Sequence, residues 1–198
     1  MPKQAIADIR KREILETFYE VAKIEGLENT SFAKIARKLE IQPSLIVHYF
    51  NNREALIFEL IQYNLEQYSR LFAPDPSDHP SLKAYVLHII DQMFSTTWND
   101  LFDDGVYYNC YALIFRYPEV KAQFRDLHLQ LRRNLATTLR RCREAGLLRT
   151  DDPATLADHI YNIIDGTYYH IGMLDDPQAQ TQHLASSKAL ACSLLTWV

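Results

Sequence analysis

Glycine is scarce in this 198-residue chain, at five positions, and no alternating β-branched runs flank Asn-Gly or Asp-Gly turns. That excludes a hairpin-built sandwich or barrel and leaves a chain that reads as nearly all helix. Cysteine is scarcer still. Cys110, Cys142 and Cys192 are odd in number and far apart, which excludes a disulfide framework and a cysteine zinc site and predicts reduced thiols. No run approaches the roughly 18 apolar residues that span a bilayer. The opening MPKQAIADIRKRE lacks the apolar centre of a secretory leader, so the expectation is a soluble, cytoplasmic protein with no membrane partner.

Catalytic signatures are missing as well. There is no Gly-rich phosphate loop, nucleophile elbow, His-Glu-x-x-His or paired-cysteine motif, and a non-enzyme without cofactor is expected. The seven histidines show no tight metal-ligand spacing, and no metal is expected. No internal repeat or low-complexity tract is present.

What the chain does have is concentrated in residues 28–56, ENTSFAKIARKLEIQPSLIVHYFNNREAL. Phe32, Ile35, Ala36 and Leu39 recur at i, i+3, i+4 and i+7, the mark of one buried helical face. Thr30 or Ser31 suits the N-cap. After the break at Glu40-Ile41-Gln42, Pro43 suits the first turn of a new helix, where its missing N–H has no partner in any case. The spacing predicts a second short helix over Pro43 to Tyr49, with Ile46 and Phe50 packed inward beside Ile41 and with Gln42, Ser44, Leu45, His48 and Tyr49 outward. Two short helices joined by a tight turn form a helix-turn-helix, whose second helix reads base edges in the major groove.

The segment from Arg12 to Leu56 resembles the N-terminal domain of the TetR family of transcriptional regulators. The residues that carry the likeness are Arg12-Glu13-Ile14-Leu15, Glu25-Gly26, Thr30-Ser31, Ile35-Ala36, His48-Tyr49-Phe50 and Arg53-Glu54-Ala55-Leu56. The chain departs from the family pattern at Glu40, where a turn glycine is usual, at Val47, where a tyrosine is common, and at Arg53, which replaces a lysine. The resemblance implies an all-α fold with a three-helix DNA-binding domain over residues 1–51 and a helical effector-binding and dimerisation domain over 52–198. It implies base-edge contacts from Gln42, Pro43, Ser44 and Leu45, and phosphate contacts from Ser31, Lys34, His48, Tyr49 and Arg53. The implied partners are a double-stranded DNA operator, a small-molecule effector and a second copy in a homodimer.

Charge qualifies that reading. The chain carries a formal net charge of −4, unusual for a simple nucleic-acid binder. Residues 1–56 hold nine basic and eight acidic side chains, a net charge of +1. Phosphate affinity must come from placement rather than sum.

Beyond the head, punctuation divides the chain. A helix is predicted from about Asn52 to Phe72, ended by the proline-rich Ala73 to Pro80. Helices follow over Ser81 to Asn99, Asp104 to Tyr117 and Pro118 to Ala145, the last closed by Gly146 as a C-cap. Asp151-Asp152-Pro153 opens a helix through Leu174, and another runs from about Gln180 to Trp197. Two stripes on the last pair, Ile160, Ile163, Ile164, Thr167 and Ile171, then Leu184, Ala185, Ala189, Cys192, Leu195 and Val198, suit either a dimer interface or the chain's own core.

Eight aromatics fall between residues 94 and 117, a density that suits a small-molecule pocket as well as a plain aromatic core. The resemblance locates the effector site in this part of the body. Trp98, Tyr108, Tyr111 and Phe115 are the candidate walls, with His88, Gln92, Asn162 and Tyr168 as polar contacts. Asp91 near such a set suits an organic cation, although an elongated apolar ligand fits equally well. The basic run from Lys121 to Arg149 reads first as a solvated face. A ligand-responsive regulator, more specifically a repressor, is the expectation. The competing reading is a helical ligand-binding or scaffolding protein without DNA affinity.

Overall fold

A computed structural model describes residues 3–71, 79–95 and 103–198, and nearly all of them are helical. In chain order the helices are α1 (Lys3–Glu25), α2 (Phe32–Leu39), α3 (Pro43–Phe50), α4 (Arg53–Leu71), α5 (Leu82–Met93), α6 (Asp104–Ala112), α7 (Pro118–Glu144), α8 (Pro153–Ile171) and α9 (Pro177–Ser193). A single 3₁₀ turn, Leu113–Phe115, follows α6, and the two-residue strands β1 (Leu148–Arg149) and β2 (Thr196–Trp197) pair antiparallel. The described residues of Met1–Gln67 and Phe102–Phe124 form one compact unit, and those of Tyr68–Leu101 and Arg125–Val198 form a second. Most of the proline-rich segment, like Trp98, lies outside the described residues.

In the first unit, α1 buries Ile14, Phe18, Val21 and Ala22, one face of a 3.6-residue period. It packs on α2, and α2 packs on α3. Gly26 ends α1 with φ +82° and donates its N–H to the Ala22 carbonyl at 2.9 Å. The buried Thr30 hydroxyl donates to the Gly26 carbonyl at 2.9 Å, which fixes the loop into α2. Ser31, not Thr30, is the N-cap, its Oγ accepting from the Lys34 N–H at 3.4 Å. From the far side, the Tyr19 hydroxyl accepts the Asp103 N–H at 2.7 Å, and Asp103 Oδ1 caps α6 by accepting from Val106 N–H at 2.9 Å.

α2 closes through a paired-bond C-cap. Glu40 is left-handed at φ 55°, the Ile41 N–H donates to the Ala36 carbonyl at 3.0 Å, and the Glu40 N–H donates to the Arg37 carbonyl at 3.4 Å. This arrangement normally takes glycine at the left-handed position. Glu40 therefore holds the turn geometry at a conformational cost.

In the second unit α5, α8 and α9 pack together over Ile89, Ile90, Met93, Ile160, Ile164, Leu184 and Ala191, while α7 contributes Leu131, Leu135 and Leu139. Asp152 and Asp176 cap α8 and α9, each followed by a proline at the first helical position. Gly146, at φ +71°, closes α7 as the sequence predicts, with the Leu147 N–H donating to the Cys142 carbonyl at 2.9 Å. The final helix differs from expectation. It ends at Ser193, and Thr196 and Trp197 pair instead with Arg149 and Leu148.

Both stripes offered as an interface are wholly or partly interior. Ile160, Ile164, Thr167, Ile171, Leu184 and Leu195 are buried within the chain itself. The outward faces carry Gly166 and Tyr169 on α8, with Met173 just past its end, and Ala185, Ala189 and Leu190 on α9. Periodicity marks the more apolar face of a helix, and here that face is spent on the monomer core.

Between α7 and α8 lies a polar group of mixed charge. The Arg132 guanidinium donates to Asp165 Oδ2 at 3.0 Å and to the Asp158 carbonyl at 3.2 Å, with its carbon 5.1 Å from the Tyr161 ring centre. The neighbouring His128 has its Nε2 buried with no hydrogen-bond partner among the described residues. Burial lowers its pKa below 6.5; Asp165 opposes that shift and Arg132 adds to it.

Two predictions follow from these features. Glu40→Gly removes the left-handed penalty and raises unfolding stability by about 0.5–1 kcal/mol, read as an increased urea midpoint; an unchanged or lower midpoint contradicts the cap assignment. His128 stays neutral when folded and protonates more readily when unfolded, so the unfolded chain binds more protons once pH falls below 6.5 and stability drops with it. Melting profiles from pH 7.5 to 5 test this, with His128→Leu expected to flatten the decline.

Candidate functional site

Two eight-residue helices and a three-residue turn make the candidate DNA-reading element. Ile35 and Ile46 are fully buried, and Ala36 and Phe50 nearly so, which turns the opposite side of α3 to solvent. At about 1.5 Å per residue α3 is roughly 12 Å long, short enough to lie across a major groove about 12 Å wide. Gln42 is its N-cap without a side-chain cap bond, leaving the amide unspent on the helix end, and Pro43 takes the first turn.

Gln42, Pro43, Ser44 and His48 are exposed, whereas Leu45 and Tyr49 are half-buried. Val47, named from the sequence only for the tyrosine it replaces, is also exposed and joins the outward set. The His48 and Tyr49 rings meet edge-on at 5.3 Å. On the exposed faces this leaves two amide or hydroxyl groups, an imidazole and an apolar contact, the side-chain types that read base edges and thymine methyls.

The expected phosphate contacts have other partners within the chain. The Lys34 ammonium is paired with the Glu25 carboxylate and donates to the Asn29 carbonyl at 2.9 Å. The Arg53 guanidinium, at the start of α4, donates to the carbonyls of Leu27 at 2.5 Å and Thr30 at 3.2 Å. It ties α4 to the loop between α1 and α2. Arg10 and Arg12 pair with Glu13 at 2.7 Å and Glu16 at 2.9 Å along α1, and the Lys11 ammonium lies 5.9 Å from the Phe50 ring centre.

Arg37 and Lys38 in the last turn of α2 are exposed and have no ion-pair partner among the described residues. They add unpaired positive charge to the head, and sequence reasoning passed over them. Their adjacency opposite Ile35 and Ala36 was the available signal.

The effector candidates divide between the two units, and Trp98 lies outside the described residues. In the first unit Tyr111 stacks parallel to Tyr107 at 6.4 Å, Phe124 meets both edge-on at 5.8 and 5.5 Å, and Tyr108 meets Tyr107 edge-on at 5.4 Å. Tyr107 and Phe124 thus belong to the aromatic group although neither was selected. Phe115 is 82% exposed. A cleft of about 420 Å³ in this unit is lined by Leu27, Arg53, Ile57, Phe58, Leu113 and Tyr117 among others, none of them a chosen effector residue.

In the second unit His88 and Gln92 are half-buried and Asn162 is exposed. Tyr168 is buried, and its hydroxyl lies 3.0 Å from the carbonyls of both Met93 and Ser95, to which it donates. Asp91 is ion-paired with Lys188 at 2.6 Å, so its charge already has a counterion.

No helix among the described residues is long and apolar enough to cross a membrane. Residues 14–60 match the family described as bacterial regulatory proteins, tetR family, and residues 82–197 match the tetracyclin repressor-like C-terminal domain. The HTH-type transcriptional regulator BetI of Proteus mirabilis (strain HI4320) is 26% identical over 182 residues, covering 89% of this chain and 87% of that protein. The HTH-type transcriptional regulator UidR of Escherichia coli (strain K12) is 23% identical over 178 residues, covering 89% and 86%.

Among solved structures, a TetR transcription regulator from Haloarcula marismortui superposes with a TM-score of 0.81 at 16% identity, covering 96% of this chain and all of that one. A transcriptional regulator from Saccharomonospora viridis, solved in complex with choline, gives 0.74 at 18% identity, covering 90% and 95%. With a family domain matched over more than half its length behind an exposed helix-turn-helix, the chain belongs to the TetR family of ligand-responsive, DNA-binding transcriptional regulators.

Proposed function

We propose that this protein is a cytoplasmic, non-catalytic repressor that leaves its operator when a small molecule binds. The observation that carries the reading is the exposed side of α3 above a buried Ile35, Ala36, Ile46 and Phe50. Gln42, Ser44 and Leu45 contact base edges beside Pro43, while Ser31, His48 and Tyr49 contact phosphate. Arg37 and Lys38 add charge along the backbone. Lys34 and Arg53 act first through the loop they hold, and through phosphate only with what hydrogen-bonding capacity remains. Residues 1–51 serve as the reading head and residues 52–198 as the effector-binding and dimerising part.

Operator recognition calls for two heads, because half-sites lie about 34–36 Å apart. We assign the twofold contact to the outward faces of α8 and α9 and the turn after α8, where Tyr169, Met173 and Leu190 are more than half exposed beside Gly166, Ala185 and Ala189. The effector is a small organic molecule. The choline in the Saccharomonospora viridis complex supports a quaternary ammonium compound, held by aromatic faces rather than by Asp91, whose charge Lys188 already balances. Binding works as a population shift: the effector must favour the state whose heads no longer match the operator.

Gel-shift titration against the promoter region of its own gene, across salt concentrations and with nonspecific competitor, tests the reading. Ser44→Ala and Leu45→Ala are expected to change sequence preference, each by about 1–3 kcal/mol at one base pair. Arg37→Ala and Lys38→Ala should weaken binding to every sequence and reduce the salt slope by about one each. Arg53→Ala should weaken all binding too, through loss of the loop tie. Loss of preference and loss of slope in equal measure from all five variants contradicts this division. Complete absence of specific binding returns the protein to the scaffold reading.

Choline added to the DNA complex is expected to lower its affinity and to raise the melting temperature of the free protein. No change in either removes choline as effector while leaving the operator assignment intact.

A further inference from the structure

We propose that the cleft at the start of α4 binds a free aromatic α-amino acid. Its walls come from the loop after α1, the first two turns of α4, the end of α6 and the turn that follows it, all within the first compact unit. Leu27 and Ile57 are buried and line it beside Leu113, while the Phe58 and Tyr117 rings meet edge-on there at 5.4 Å. An aromatic body suits such walls, because ring edges and faces attract one another beyond the gain from excluding water. At about 420 Å³ the cleft lies at the small end of the range for ligand pockets, about 300–1,000 Å³. That space takes a ligand of amino-acid size and not a dinucleotide or a long acyl chain.

The rim decides the polar end of the ligand. Glu28, Glu54 and Arg116 are exposed there, and none of the three side chains has a hydrogen-bond or ion-pair partner among the described residues. Arg53 differs, since its guanidinium already donates to the Leu27 and Thr30 carbonyls. Unpaired charges of both signs around one cleft match a ligand that carries both signs itself. A carboxylate takes the planar fork of Arg116 two-pronged, and an ammonium takes Glu28 or Glu54. A ligand of one charge leaves the opposite rim unanswered and also meets a charge like its own.

Leu27 and Arg53 are both wall residues and the two ends of a bond that ties α4 to the loop. A ligand resting on them braces that joint, so its binding raises the melting temperature of the free protein. Such a site is separate from operator contact and from choline, which carries an ammonium and no carboxylate.

The test is calorimetric titration of the full chain with L-phenylalanine, L-tyrosine and L-tryptophan, the tightest of the three being compared with its decarboxylated amine and its deaminated acid. The expected result is one amino acid per chain with a dissociation constant on the order of 10–100 µM, and affinity at least about tenfold lower for both one-charge compounds. Arg116→Gln should weaken the amino acid about tenfold and leave the amine within about twofold, whereas the double variant Glu28→Gln/Glu54→Gln should weaken the amino acid equally and leave the acid within about twofold. In the unaltered protein, Overhauser contacts from the ligand ring protons to the Leu113 methyls and the Phe58 ring are expected, a readout that does not depend on any variant folding. No saturable binding of any of the three below about 1 mM, one-charge compounds that bind as tightly as the amino acid, displacement by equimolar choline, undiminished affinity in Arg116→Gln, or contacts confined to residues outside the cleft overturns the proposal. Failure of choline to release DNA leaves these titrations unaffected.

Discussion

A helix of eight residues is too short to persist alone in water, because nucleation costs more than so few backbone bonds return. α2 and α3 exist as helices because Ile35, Ala36, Ile46 and Phe50 are withdrawn from solvent, each large side chain contributing about 1.5–3 kcal/mol. Everything functional about the head follows from that burial. The inward residues set the angle and register of α3, and the outward residues are thereby released from any structural duty. Gln42 makes no cap bond and Ser44 has no packing role. A reading surface of this kind can change its side chains without endangering the fold that presents them.

The nearly neutral head shows how a net charge conceals a layout. Several of its basic side chains are neutralised nearby: Arg10 and Arg12 within α1, Lys23 by Glu20 and Lys34 by Glu25. Arg37 and Lys38 stay exposed at the end of α2, the helix that crosses the DNA backbone in this class of motif. Lys34 in particular would have to leave Glu25 to meet a phosphate. That exchange trades one anion for another and gains less than a free lysine would.

The sequence made the helices legible wherever a face was apolar and the ends were punctuated. Gly146 and Asp152-Pro153 mark boundaries that the structure reproduces closely, and α2 and α3 fall where their periodicity puts them, whereas α9 begins at Pro177 rather than near Gln180. Contacts that tertiary folding creates between chemically unremarkable positions were not legible. Thr196 and Trp197 continue a helical pattern, yet they pair antiparallel with β1 instead of adding one further helical turn. The stripes on α8 and α9 were correct as stripes and ambiguous in direction, since a period says which face is apolar and not what covers it.

In the reading element the outward order of α3 was accessible from the sequence. The ties of Lys34 and Arg53 to loop carbonyls were not, because main-chain acceptors leave no trace in residue identity.

The bond between Arg53 and the loop has a consequence for how this protein tolerates variation. Both acceptors are peptide oxygens, at Leu27 and Thr30, so neither partner is specified by its side chain. Replacing the loop residues leaves the anchor points in place, whereas deleting one residue between them moves an oxygen out of reach of a rigid, planar fork. Loop length is therefore under tighter geometric restraint here than loop composition. A lysine at position 53, with one compact charge in place of the fork, would loosen the joint by surrendering its planar two-pronged grip.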